Sequence, residues 1–111
     1  MIADFSVASL DYIDLSKANL AGANFTGTNL SWTILCKAKG NMANFRKARL
    51  GRADLSGASF VHADFSGADL KEAFFRETVV RGAHCDKALL RWSDLKEVNS
   101  GEINLAGALM S

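Results

Sequence analysis

The chain has 111 residues and a formal net charge of +1, with 49% hydrophobic and 23% charged residues. This length and composition predict one globular domain, residues 1–111. The near-neutral charge favours neither nucleic acid nor membrane, and no apolar run reaches the roughly 18 residues of a spanning helix. Two cysteines are too few for a disulfide framework. We therefore expect a reduced, cytoplasmic protein without a membrane segment.

A five-residue repeat runs along the whole chain. Counting every fifth residue from Phe5 to Met110 gives 22 positions, of which 17 are Leu or Phe. Two residues before each of these, Ala occupies 15 of the 22 positions. The residue between is often Asp or Asn, and the two that follow are polar, small or charged. No insertion interrupts the series, so the repeat predicts one regular element through to the last residue.

A period of five residues fits neither an α-helix nor a flat strand. It advances about 500° around a helix, and in a strand it alternates between the two faces. Only a chain that turns a corner after every fifth residue keeps all the large apolar side chains inside. Ala and Leu then share the inner face, Asp or Asn points outward, and glycines such as Gly22 and Gly57 are expected to supply the positive φ of the turns.

The number of sides per coil decides which central residues stack on each other. A 20-residue, four-sided coil gives one pure phenylalanine column, made of Phe5, Phe25, Phe45 and Phe65. It also gives one irregular column, which contains Gly40, Val80 and Ser100. A three-sided coil aligns some of these residues too, so composition favours four sides without deciding. In the irregular column, we expect Phe60 to fill the space that Gly40 leaves.

Aromatic residues recur along one outer edge of the four-sided coil. The predicted outward column is Tyr12, Trp32, Arg52, Glu72 and Trp92. In this column Trp32 can stack on Tyr12 and form a cation–π contact with Arg52. Beside it, Ile34 and Phe74 replace the usual Asp or Asn, and Leu89 is close by. The strip is interpreted either as a partner-binding surface or as cross-coil packing that only stabilises the fold.

Positive charge is concentrated in residues 37–52, which hold six cations and no acid. Residues 1–36 carry a net charge of −2, and residues 53–111 carry −3. One interpretation is a docking site for an acidic partner or for nucleic acid. The other is pairing with acids of neighbouring coils, such as Asp14, Asp54 and Glu72. We call the six cations the basic belt: Lys37, Lys39, Arg46, Lys47, Arg49 and Arg52.

The sequence shows no catalytic or metal-binding constellation, and no cofactor is expected. His62 and His84 are predicted to point outward from different columns, and a filled coil has no cleft. Cys85 takes a core position, whereas Cys36 is expected near the surface, with a reactive thiol as the less favoured interpretation. The two cysteines are 49 residues apart, so no disulfide is expected between them. The outward Asp and Asn residues are interpreted as caps of the turn backbone.

Four segments show the repeat most clearly: ANLAG at 18–22, ADLSG at 53–57, ADFSG at 63–67 and ADLKE at 68–72. In these segments, and in its single register, the sequence resembles the pentapeptide-repeat family with the motif A(D/N)LXX. The resemblance implies an all-β, right-handed quadrilateral β-helix (a β-solenoid), here of about five and a half coils. Some members carry a C-terminal helix, but none is predicted here. Open coil ends indicate end-to-end stacking into a homo-oligomer or a piece of a longer protein.

Three functional hypotheses follow. The first is a non-enzymatic scaffold that binds a protein partner. The second comes from the resemblance, because some members imitate duplex DNA and bind DNA gyrase, which protects it from quinolone drugs. That mimicry needs a strongly acidic surface, unlike this chain. The third is weak nucleic-acid binding through the basic belt. The candidate partner-binding residues are Tyr12, Trp32, Ile34, Arg46, Lys47, Arg49, Arg52, Phe74 and Trp92.

Overall fold

The computed structural model describes residues 3–96, 98 and 103–111. Parallel bridges join residues that are 20 apart, from Asp4 with Asn24 to His84 with Asn104. Each coil therefore contains four five-residue segments, and the four-sided arrangement is confirmed over the three-sided one. The faces are numbered in chain order, from the segments that begin at residues 3, 8, 13 and 18. The molecule measures 32 × 23 × 23 Å.

Two segments are long enough to form named strands. Strand β1 (Leu89–Leu90) pairs in parallel with β2 (Leu109–Met110), with Leu89 opposite Leu109 and Leu90 opposite Met110. Elsewhere single bridges carry the ladder, with hydrogen bonds such as Phe25 N to Asn44 O at 2.7 Å. No helix among the described residues is long and apolar enough to cross a bilayer.

Every corner up to residue 87 has the same turn geometry. The N–H three residues on closes the turn, as in Ala48 N to Phe45 O at 3.0 Å. The second turn residue has a positive φ, as the third position of a type II turn requires. Five glycines of these corners, and Gly107 beyond them, take this position, but twelve non-glycine residues also do, including Trp32 and Arg52. The expectation of glycine at the turns is thus incomplete, because the ladder and the buried core hold L-residues there against a cost of about 1–2 kcal/mol each.

The core is a filled column in which small side chains occupy the alanine positions. The rings of Phe5, Phe25, Phe45 and Phe65 stack with centroids 4.9–5.0 Å apart. Most of the alanines from Ala23 to Ala88 are fully buried. Where Thr replaces Ala, its hydroxyl donates to a carbonyl of the preceding coils, as in Thr78 Oγ1 to Leu55 O at 2.7 Å. The buried polar group is thereby satisfied.

The predicted packing of Gly40 against Phe60 is confirmed. A Cβ on Gly40 would lie 2.5 Å from Cε1 and 2.6 Å from Cδ1 of Phe60. The Phe60 ring stands edge-on to Phe45 and Phe65, with interplanar angles of 86° and 80°. A glycine at this position therefore lets one phenylalanine turn across the stack and fill the layer.

The outward Asp and Asn residues cap the turns, as predicted. Asp64 Oδ1, for example, accepts the N–H of Ser66 at 2.9 Å, and Asn44 Oδ1 accepts that of Arg46 at 3.0 Å. Each such carboxylate or amide oxygen satisfies an N–H group of the turn backbone. These side chains are therefore structural parts of the repeat.

A single-turn 3₁₀ helix (Trp92–Leu95) interrupts the repeat, so the prediction of an unbroken series without a helix is wrong. Ser93 is exposed at a position that is usually a buried Ala, so burial no longer holds that segment extended. The side chains of Arg91 and Asp94 pair across the turn, which stabilises it. The ladder resumes at Asn104 in the same 20-residue register. The prediction for Ser100 lies outside the described residues.

Candidate functional site

The corner between the second and third faces carries a stacked row of side chains. We call it the aromatic edge: Tyr12, Trp32, Arg52 and Glu72. The rings of Tyr12 and Trp32 are nearly parallel, with centroids 6.1 Å apart. The guanidinium carbon of Arg52 lies 5.1 Å from the Trp32 centroid, within cation–π range. The predicted stacking and cation–π contacts are both present.

An ion-pair chain extends this edge beyond what the sequence suggested. Arg52 Nε lies 2.9 Å from Glu72 Oε2, and Glu72 Oε1 lies 3.5 Å from Arg91 Nη1. Arg91 in turn makes two hydrogen bonds to Asp94, of 2.7 and 3.0 Å. The hydrogen bond from Arg52 lowers the pKa of Glu72, and the bonds to Arg91 lower the pKa of Asp94. The spacing of Arg91 and Asp94, three apart, was the available signal for this pair.

Asp94 also replaces a missing part of the backbone ladder. In the second coil, the N–H of Trp32 donates to Gly51 O at 3.1 Å. Two coils further on, the N–H of Glu72 donates instead to Asp94 Oδ2 at 2.8 Å. The Asp94 side chain is only 7% exposed. It therefore ties the 3₁₀ helix to the fourth coil.

Trp92 does not occupy the place predicted for it in the aromatic column. It begins the 3₁₀ helix, is 61% exposed, and stacks on no other ring within the described residues. Arg91 makes the contact with Glu72 instead. The prediction of a continuous column through Trp92 is wrong because the chain leaves the repeat at that corner.

Apolar side chains lie on the third face, directly beside the aromatic edge. Its outward positions are Asp14, Ile34, Asp54 and Phe74, of which Ile34 is 39% exposed and Phe74 56%. Among the described residues, six of the nine exposed large hydrophobic side chains lie on this face, on the aromatic edge or at the start of the 3₁₀ helix. These six are Tyr12, Ile13, Trp32, Ile34, Phe74 and Trp92. Leu89 lies on the neighbouring second face and is half-buried.

Three shallow depressions surround the aromatic edge. One of about 490 Å³ lies on the side of the second face, between Trp32, Lys71 and Arg91. The other two lie on the third face, on either side of Phe74. Their volumes are about 460 Å³, beside Arg76 and Lys96, and about 300 Å³, beside Trp32 and Arg52. Phe74 therefore forms the ridge between the two depressions of the third face.

The basic belt is divided by the fold and does not form one patch. Arg46 pairs with Asp64 at 3.2 Å, and Arg52 pairs with Glu72 as described. Pairing with Glu72 is thus confirmed, but the predicted pairing with Asp14 and Asp54 is wrong, since neither carboxylate forms an ion pair with a belt cation and each caps its own turn at Ser16 or Ser56.

The remaining four belt cations form no ion pair with a described acid. They lie on opposite sides of the coil. Lys47 and Arg49 belong to the first corner and the second face, whereas Lys37 and Lys39 belong to the third corner and the fourth face. No single partner surface can contact all four at once.

The thiols show no sign of activation. Burial, with a smaller effect of the Asp54 carboxylate, raises the pKa of Cys36 to about 11, and burial raises that of Cys85 to about 12. Both thiols are therefore protonated at neutral pH and are poor nucleophiles. His62 and His84 are exposed on different parts of the coil. Within the described residues, no three His, Cys, Asp or Glu side chains are grouped as metal ligands.

A filled β-solenoid with 20-residue coils is a repeat protein whose chemistry lies on its outer surface. The chain belongs to the pentapeptide-repeat family, since residues 3–39 and 43–76 match eight copies of the pentapeptide repeat. No protein with a curated description matches significantly.

Solved structures share the fold. A pentapeptide repeat protein from the Arabidopsis thaliana thylakoid lumen is 26% identical with a TM-score of 0.66, over 90% of this chain and 59% of that one. A pentapeptide repeat protein from Nostoc PCC 7120 is 30% identical with a TM-score of 0.63, over 97% of this chain and 84% of that one. The present chain thus spans less than two thirds of the Arabidopsis protein.

Proposed function

We propose that this protein is a non-enzymatic scaffold that binds a protein partner through the aromatic edge and the third face. Within that proposal the solenoid is right-handed with about five and a half coils, and its location is cytoplasmic. The observation that carries the proposal is the grouping of six exposed large hydrophobic side chains on one side of the rod. Single exposed apolar residues need no explanation, but a group of them on one side of the molecule is typical of an interaction site.

The residue types on this strip are those that contribute most to protein interfaces. Trp, Tyr and Arg dominate binding energy when they are desolvated at the centre of an interface. Trp32 and Arg52 are already held by stacking and by the Glu72 ion pair, so little side-chain entropy is lost when they are covered. Packing within the chain uses only part of their surface, because Trp32 remains 45% exposed.

The two alternative functions have less support. Imitation of duplex DNA toward gyrase requires a dense row of acids, whereas this chain has a net charge of +1 and exposed cations on two sides. Nucleic-acid binding through the basic belt requires the cations to face one backbone, but the fold divides them. Self-association by end-to-end stacking stays a prediction, which the solution mass from light scattering measures.

Site-specific photo-crosslinking in cells tests the proposed function. A benzophenone amino acid is placed at Phe74, which it resembles in shape, and separately at Met42. Met42 is 70% exposed on the corner diagonally opposite the aromatic edge, so it is the matched control. We expect a discrete protein adduct from position 74 and none from position 42.

A second substitution links the adduct to the strip itself. Ile34→Asp places the residue that the repeat usually has at this position, so the fold should tolerate it. We expect this change to remove the position-74 adduct. Equal labelling from both positions, or an adduct that is indifferent to Ile34→Asp, would show that this side of the rod is not the binding surface.

A further inference from the structure

The third face lies between two corners of different chemistry. On one side is the aromatic edge. On the other side, at the corner between the third and fourth faces, the turns expose four cations, and none of them forms an ion pair with a described acid. We call this group the basic flank: Lys17, Lys37, Arg76 and Lys96. The face between them therefore joins an apolar border to a positive one.

Few acids lie near the basic flank, and those on the third face cap their own turns. Among the residues that the structure describes, Glu77 is the acid of that corner. On the face itself, Asp14 Oδ1 accepts the N–H of Ser16 at 2.9 Å and Asp54 Oδ1 accepts that of Ser56 at 3.0 Å. These carboxylates cap their own turns but keep their negative charge, so an acidic ligand would have to place its acids at the corner and not over the face. The corner keeps an excess of positive charge that an acidic ligand would complement.

Phe74 is the most prominent apolar feature of this face. It is 56% exposed and separates the depression beside Arg76 and Lys96 from the one beside Trp32 and Arg52. Such a side chain can insert between two turns of a helix, while the helix ridges enter the two depressions. Ile34 supplies a second apolar contact two coils away, on the same column.

The spacing of these contacts favours a helix over an extended segment. The stacked phenylalanines show that one coil step is 4.9–5.0 Å. Two steps, about 10 Å, therefore separate Ile34 from Phe74, and two turns of α-helix rise a similar distance, about 10.8 Å. An extended strand places side chains of one face about 6.7 Å apart, which falls between one and two coil steps.

We infer that the third face binds an acidic amphipathic α-helix of a partner protein. Its apolar stripe would cover Ile34 and Phe74, and its Glu or Asp residues would contact the basic flank. The inference rests on the proposed function and names the class of partner. Nucleic acid is the less suitable ligand, because a duplex presents no apolar stripe that could cover Ile34 and Phe74.

A charge-randomised peptide selection tests this inference. Displayed peptides of about five helical turns carry Leu at heptad positions a and d, with Glu, Lys or Ala allowed elsewhere. They are selected on the whole wild-type protein without subtraction, and their binding is then measured on Phe74→Asp. That variant is suited to the purpose because Asp is the usual residue at this position of the repeat, as in Asp54 and Asp64. Met42→Asp serves as the matched control on the opposite corner.

We expect the selection to enrich Glu along one side of the Leu stripe. The selected peptides should bind Phe74→Asp and the double variant Lys37→Glu/Arg76→Glu at least about tenfold more weakly than the wild type, and Met42→Asp equally well. Enrichment of Lys, binding that is indifferent to Phe74, or a duplex DNA probe that binds with the same dependence on Arg76 would overturn the inference. The proposed function would survive that result if the position-74 adduct still formed.

Discussion

At the scale of single residues, the stability of the solenoid depends on close packing between side chains of successive coils. Gly40 illustrates this, because its φ is not in the left-handed region and its backbone alone would accept Ala. The obstacle is Phe60, which occupies the volume that a Cβ would need. We therefore expect Gly40→Ala to lower the free energy of unfolding by about 1–3 kcal/mol, as overpacking does elsewhere.

Gly51→Ala is the control for this prediction, measured by urea unfolding under the same conditions. Gly51 also lacks a positive φ, and the nearest atom to an added Cβ is Lys71 O at an ordinary 3.7 Å. Ala there should be neutral or stabilise by up to about 1 kcal/mol, since it restricts the unfolded chain. If both substitutions behaved alike, the Phe60 ring would not be the cause. Combining Gly40→Ala with Phe60→Leu should recover part of the loss.

Residue-scale contacts could be predicted where they follow the repeat. The stacking of Tyr12 on Trp32 and the position of Phe60 could be predicted from the 20-residue spacing alone. That spacing fixes which side chains are neighbours in successive coils. The pairing of Arg46 with Asp64 could not be predicted in this way, because long side chains choose among several acids within reach. The choice depends on rotamers, which the sequence does not fix.

At the scale of elements, the 3₁₀ helix is the one departure from the repeat in the described part of the chain. The five-residue pattern does not reveal it, since Leu95 and Leu105 keep their places in the series. What changes is the alanine position, where an exposed Ser93 gives no burial energy to an extended segment. A pattern that counts only the large apolar residues cannot detect such a loss.

Asp94 holds this element to the fourth coil, and that attachment should depend on pH. The pKa of Asp94 in the folded protein lies below its ordinary value of 3.8 because Arg91 and the N–H of Glu72 favour the carboxylate. The unfolded chain therefore binds more protons in acid. The stabilisation by Asp94 is complete at pH values above the ordinary pKa of 3.8. It is lost as the pH falls through the lower pKa that Asp94 has in the folded protein.

Urea unfolding of the wild type and Asp94→Asn, from about pH 6 to about pH 3, measures this dependence. We expect Asp94→Asn to lower the free energy of unfolding by about 1–3 kcal/mol at about pH 6, because Arg91 loses a charged partner. The difference between the two proteins should shrink in acid. A difference that stays constant down to the lowest pH would show that Asp94 contributes through packing and not through its charge.

At the scale of the whole molecule, the 20-residue register distributes the surface chemistry. It collects the aromatic residues on one corner, although they are 20 residues apart in sequence. It also separates the basic belt, whose cations are close in sequence. The grouping of the aromatic residues could be predicted from the repeat. The separation of the basic belt follows from the same 20-residue spacing, once the coil is known to have four sides. Proximity in sequence is therefore a poor guide to surface patches in a solenoid.

Stability in such a rod should follow position along its axis, because each coil contacts only its neighbours. Two backbone hydrogen bonds of equal length allow a matched comparison: Phe5 N to Asn24 O and Phe45 N to Asp64 O are both 2.7 Å. Phe45 is fully buried between two stacked rings, whereas Phe5 is half-buried and stacks on one. In the 111-residue chain, native-state hydrogen exchange should be at least about tenfold slower at Phe45. Equal protection at the two amides would mean that the solenoid opens as one cooperative unit.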